Sequence, residues 1–168
     1  MARAPRRRVE TVEFRVEDPA AVVRAMDAIA DAHDGWVNLH PVLRPEDEPP
    51  PRQGITTLLA GPVHDVPVCT WVAGTVSRRG LQDDRVGLQH ARGERVRLRL
   101  AAGGVAIPDD WRLVQDHPRR GLVLALAPDT PHGVVVAWLL EAAAVLSALR
   151  LSGDWRAEIH LPAAGPPL

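Results

Sequence analysis

At 168 residues, with 46% hydrophobic and 24% charged residues, the chain has the balance of a single soluble globular domain. That length buries a core without disulfide or metal staples, and a formal net charge of −1 removes any global electrostatic case for nucleic acid or an anionic membrane. The basic residues are all Arg, Tyr is absent and Phe14 is the sole Phe, a bias towards GC-rich codons that points to a bacterial source.

Residues 1–8 read as a disordered, arginine-bearing tail ahead of one globular domain over 9–162. The tail is basic, but no apolar stretch or small-residue cleavage site follows it, so a cytoplasmic protein is expected. Val12, Phe14 and Val16 alternate with Glu13, Arg15 and Glu17, the period of a half-buried strand. Asp18-Pro19 then reads as an N-cap with proline at the first helical position. Val22, Val23, Met26, Ile29 and Ala30 make one apolar stripe at helical spacing, Gly35 stops it, and Trp36–His40 is the next strand.

The proline-rich, charged stretch 41–53 reads as an exposed loop, with a short helix or turn around Thr56 to Ala60. Pro67 to Val76 and Arg85 to His90 are expected strands, with a turn near Arg79-Gly80 between them. Over 92–103, Val96, Leu98 and Leu100 alternate like a strand, whereas the Ala-Ala-Gly-Gly exit is that of a helix, and the exit favours helix. Trp111–Gln115 and Leu122–Ala127 read as strands joined by the turn Asp116–Gly121. Asp129-Thr130-Pro131 opens a long apolar helix over 131–149, Trp155 to Leu161 alternates as a final strand, and 163–168 is a flexible tail. The apolar run is short of the roughly 20 residues a membrane span needs and carries Glu141.

Two strand-helix-strand units with similar Asp/Pro starts and Gly stops flank the middle of the chain. The expected fold is therefore α+β, a mixed or largely antiparallel sheet with two or three helices. The two βαβ units suggest a ferredoxin-like core with an insertion between about 41 and 110, and an open α/β sheet is the alternative.

The densest polar cluster is Asp116-His117-Pro118-Arg119-Arg120. A His beside a carboxylate on a rigid turn suits general-base work, with Asp116 and His117 as the candidates. Arg119 and Arg120 could hold an anion bidentately. His132 stands where the apolar helix begins, a position suited to a cleft near strand ends. Against these stand ordinary roles, since hairpin turns are polar by default.

His40 and His160 occupy echoing positions after strands and could meet, but they are too few for a metal site. Cys69, the single cysteine, lies beside Trp71 in an apolar strand and reads as a small hydrophobe. Ser77, Ser147 and Ser152 lie in no nucleophile elbow, and no phosphate loop is present. Trp36, Trp111 and Trp155 each open a strand, where such rings close the ends of a core.

No cofactor and no metal is implied. The expected function is a small binding or protein-interaction module without catalytic activity, meeting a protein partner or a second copy through the apolar helix. The alternative is a small enzyme acting on an anionic substrate, with a His base and Arg anchors. RNA binding through Arg3, Arg6, Arg7 and Arg8 lacks the aromatic platforms it would need.

Overall fold

The computed structural model describes residues 7–47, 66–78, 80–90, 93 and 95–161. In chain order its elements are β1 (Arg8–Arg15), α1 (Ala20–Ala32), β2 (Trp36–Pro41), a 3-10 turn at Pro45–Asp47 and β3 (Val68–Val72). There follow β4 (Val76–Ser77), β5 (Gly80–Leu81), β6 (Arg85–Gln89), α2 (Val96–Ala102), β7 (Arg112–His117), β8 (Gly121–Ala125), α3 (His132–Leu146) and β9 (Asp154–Leu161).

Seven strands form one sheet in the order β1-β9-β2-β3-β6-β8-β7, and β4 and β5 make a small separate hairpin. Every adjacent pair in the large sheet is antiparallel. The α+β class is thus what the chain adopts. A ferredoxin-like core is not confirmed by this order. The first βαβ unit brackets one strand, β9, but the second runs from β8 to β9 across three, β2, β3 and β6. The halves are not equivalent, because the Asp/Pro and Gly signals mark helix ends and carry no information on strand pairing. Nor is 41–110 an insertion hung on a core, since β3 and β6 stand in the middle of the sheet.

Strand alternation sends Phe14, Val37, Leu39, Cys69, Trp71, Val86, Leu88, Leu122, Leu124, Trp155, Ala157 and Ile159 into the buried cluster that the helices cover. Among the described residues α3 is the most buried helix, with eight of its 15 residues buried, and it packs against both α1 and α2. Its apolar surface is therefore mostly covered by its own chain, leaving an exposed strip through Val134, Ala137, Glu141 and Ala144. Among the described residues no helix is long and apolar enough to cross a membrane.

Several local expectations need correction. Neither Asp18 nor Asp129 caps a helix: Pro19 and Pro131 are themselves the N-caps, without a side-chain cap bond. α3 ends at Leu146, three residues early, where the Ser147 side chain accepts from the Leu149 N–H and offers the chain a turn instead. Helix is confirmed at 96–102 and ends in Gly103.

Arg7 and Arg8 belong to the ordered chain, not to a tail. Arg7 donates to Asp34 at 2.6 Å and lies 4.7 Å over the Trp36 ring, and Arg8 pairs with Glu10. Arg3 and Arg6 lie outside the described residues. Pro41 closes β2, so only Val42–Asp47 of the proline-rich loop is described. Its remainder, the turn near Thr56 to Ala60 and the tail 163–168 lie outside the described residues.

Candidate functional site

The polar turn forms the expected hairpin, and the sheet's alternation takes its dyad apart. Asp116 pairs in register with Leu122 and His117 with Gly121, so the two side chains point to opposite faces of β7. Adjacent residues in a strand do not meet. His117 turns inward instead, its Nδ1 accepting the backbone N–H groups of Arg119 at 3.0 Å and Arg120 at 3.2 Å. That nitrogen serves the turn, and the Arg119 and Arg120 side chains are exposed. His117→Ala should therefore cost about 0.5–1.5 kcal/mol in urea melts, with faster hydrogen exchange at the Arg119 and Arg120 amides. No stability change and unaltered exchange would remove His117 from the turn.

Asp116 faces a histidine that sequence reasoning passed over. His90 follows β6, is 95% buried, and has neither ring nitrogen hydrogen-bonded among the described residues. Burial lowers its pKa, Asp116 acts in the opposite sense, and Arg99 on α2 adds to the lowering. The packed position thus disfavours charge on this ring.

His40 and His160 share the sheet face away from the helices but do not meet, because the Asn38–Glu158 pair lies between them. His160 stacks on Trp36 with centroids 4.4 Å apart, so Trp36 closes no end of the core. Trp111 and Trp155 are in the core as expected. Trp111 meets Trp138 edge to face at 5.1 Å, and the Trp138 indole donates to the Ala106 carbonyl. Cys69 is fully buried, and burial pushes its thiol pKa far above the ordinary value.

His132 is the candidate around which other functional groups assemble. It is the first residue of α3, its side chain 12% exposed. Its Nδ1 lies 2.7 Å from Asp27 Oδ1 on α1, and its Nε2 lies 3.6 Å from Asp84 Oδ2, just ahead of β6. The Trp71 ring of β3 packs edge-on below it at 5.0 Å. Asp84 is fixed in turn: its Oδ1 accepts the Gly74 N–H at 2.7 Å, and its backbone carbonyl accepts the Leu126 N–H.

The electrostatics follow from that arrangement. The Asp84 carboxylate does most to raise the His132 pKa, burial opposes it, and Asp27, hydrogen-bonded to Nδ1, raises it further. Asp27 is nearer, but at 61% exposed against 29% for Asp84 it is more heavily screened by water. Burial alone would raise the Asp84 pKa; the bonds from His132 and Gly74, helped by the nearby Trp71 indole, outweigh it and lower the value. The positive end of the α3 dipole works against a charged ring here, and the two carboxylates act in the opposite sense.

His132, Asp27 and Asp84 line a cleft of about 550 Å³ at one end of the sheet, together with His33, Asp83, Asp129 and the apolar Leu81, Leu126 and Pro131. Asp83 is paired with Arg112 at 3.3 Å. Asp27 and Asp84 approach opposite ring nitrogens and so do not converge on one ion; no metal-holding group of three ligands exists among the described residues. The Arg119–Arg120 turn lies at the other end of β8 from the α3 start, so the His132 cleft and the expected Arg anchors are not one site. No protein family, curated protein or solved structure matches the chain.

Proposed function

We propose that this chain is a binding module without catalytic activity, and that the cleft at His132 receives a positively charged group of its partner. The observation that carries this reading is the engagement of both His132 ring nitrogens by carboxylates. While the ring is protonated both nitrogens carry N–H groups aimed at carboxylates, so in that state it has no lone pair to take a substrate proton and does not act as a general base.

The sign of the cleft supports the class of ligand. Asp27, Asp83, Asp84 and Asp129 line it with His33 and His132, and Asp83 is paired with Arg112, so carboxylates still outnumber the cations around it. A concave, partly desolvated surface with that excess focuses a negative potential and favours ammonium or guanidinium groups. The same excess speaks against an anionic substrate anchored by Arg119 and Arg120. The arginine-only basic set and the buried lone thiol support a bacterial, cytoplasmic setting.

The test is a thermal-shift comparison of spermidine and arginine amide with citrate and phosphate. It is run on wild type and on the Asp83→Asn/Asp129→Asn double variant, whose changes leave the His132 contacts intact. The cations should stabilise wild type, by about 2.7 kcal/mol at 100 times Kd, with a weaker effect in the double variant and at high salt. Stabilisation by the anions alone, or by cations equally in both proteins, would overturn the reading.

A further inference from the structure

We propose that His132 is a proton-dependent latch: as an imidazolium it ties α1 to the loop ahead of β6, and losing one proton releases α1 from that tie. The argument is stoichiometric. An imidazolium carries two N–H groups, one for each carboxylate, and a neutral imidazole carries only one. In the neutral ring one nitrogen would present a lone pair to an ionised carboxylate, which is repulsive, so one of the two contacts must open.

The surroundings decide which. Asp84 is half-buried and held by the Gly74 N–H, and its backbone is bonded to Leu126. Asp27 is largely exposed and has water to turn to. The neutral ring therefore keeps Asp84, and the Asp27 side chain turns into solvent while Met26 and Ile29 hold that turn of α1 in the core. The other charged groups facing the ring and its cleft are His33 from the end of α1, Asp83 beside Asp84, with Arg112 of β7 paired to it, and Asp129 ahead of α3. Apart from His33, whose contribution a variant can separate, the lining groups that titrate are carboxylates. His132, seated between two of them, is the switching group.

The direction of the pH effect is fixed by the raised folded-state pKa of His132. Its stabilising contribution is complete below the ordinary histidine value and is lost as the pH rises through the folded value. Loss of the proton also removes one positive charge from the cleft. If the cleft is the binding surface proposed above, the latch makes cation binding tighter at higher pH; the latch itself does not depend on any ligand.

The experiment follows the imidazole resonances of the ligand-free, full-length protein by NMR from pH 5 to 9, with His132 assigned through the backbone. Its titration midpoint should lie above the ordinary value of about 6.5. Asp27→Asn and Asp84→Asn should each lower that midpoint, and His33→Asn should leave it in place. The wild-type Tm should fall by about 2–4 °C as pH passes through the midpoint, the response of a chain this size to one lost contact of about 1 kcal/mol. A wild-type midpoint at or below 6.5, or one unmoved by both Asp variants, would overturn the latch. The wild-type titration decides even where a variant fails to fold. A failed cation screen leaves that titration untouched, so the two proposals fail separately.

Discussion

Leu139→Ala is expected to lower the unfolding free energy by about 2–5 kcal/mol, the range for deleting a large aliphatic side chain from a packed core. Leu139 is fully buried at the centre of α3, and its carbonyl accepts a long contact from the Cys69 thiol of β3. It sits where helix and sheet layers meet, with Val135, Ala142 and Leu146 on the same buried side. The helices around it and the sheet beneath it are anchored by other side chains, so the site cannot collapse to fill the void. Urea denaturation measures the loss, with the m-value reporting whether the unfolding remains two-state. A change below about half a kcal/mol is what exposed positions give and would contradict the layer arrangement.

Gly121→Ala is expected to be comparably damaging for a backbone reason. Gly121 opens β8 with φ of +85°, a conformation that L side chains rarely adopt, and an added Cβ would be driven into the Leu88 carbonyl oxygen of the neighbouring β6. The left-handed conformation costs about 1–2 kcal/mol and forcing strands apart about 1–3 kcal/mol. Because Leu88 pairs with Leu122 in the next register position, the strain falls on the β6–β8 ladder itself. Chemical denaturation gives the magnitude, and hydrogen exchange at Leu88 and Leu122 shows where it falls. Wild-type stability in this variant would mean that the β7–β8 hairpin meets β6 differently.

The contrast between these positions and the site explains what the chain made legible. Apolar spacing over Val135–Leu146 and alternation over Trp155–Leu161 are local patterns, and local patterns locate elements. The same alternation separates Asp116 from His117, but this is not legible in the sequence, because the expected strand stops at Gln115 and leaves both residues in the turn, whereas β7 runs on to His117. The strand order is not written locally. Placing β9 between β1 and β2 depends on pairings across most of the chain, which capping residues do not encode.

The site suffers from the same gap. His132 and Asp27 are 105 residues apart, and Asp84 arrives from a third element. The start of α3 marked His132 as a residue near a strand end. Nothing in the neighbourhood of Asp27 or Asp84 distinguished either from other surface carboxylates. Only the crossing of α1 and the β6 approach over the N-terminus of α3 joins the three.

The most direct test of this account is the protonation state of His132 near neutral pH. Nitrogen-15 imidazole spectra of the histidine-labelled protein at pH 6.5 distinguish a ring with two N–H groups from one with a free lone pair. The predicted result is a His132 ring predominantly protonated at both nitrogens, coupled to a proton at each. A neutral tautomer with one nitrogen unprotonated at that pH would contradict it, and would restore His132 as a base available for catalysis.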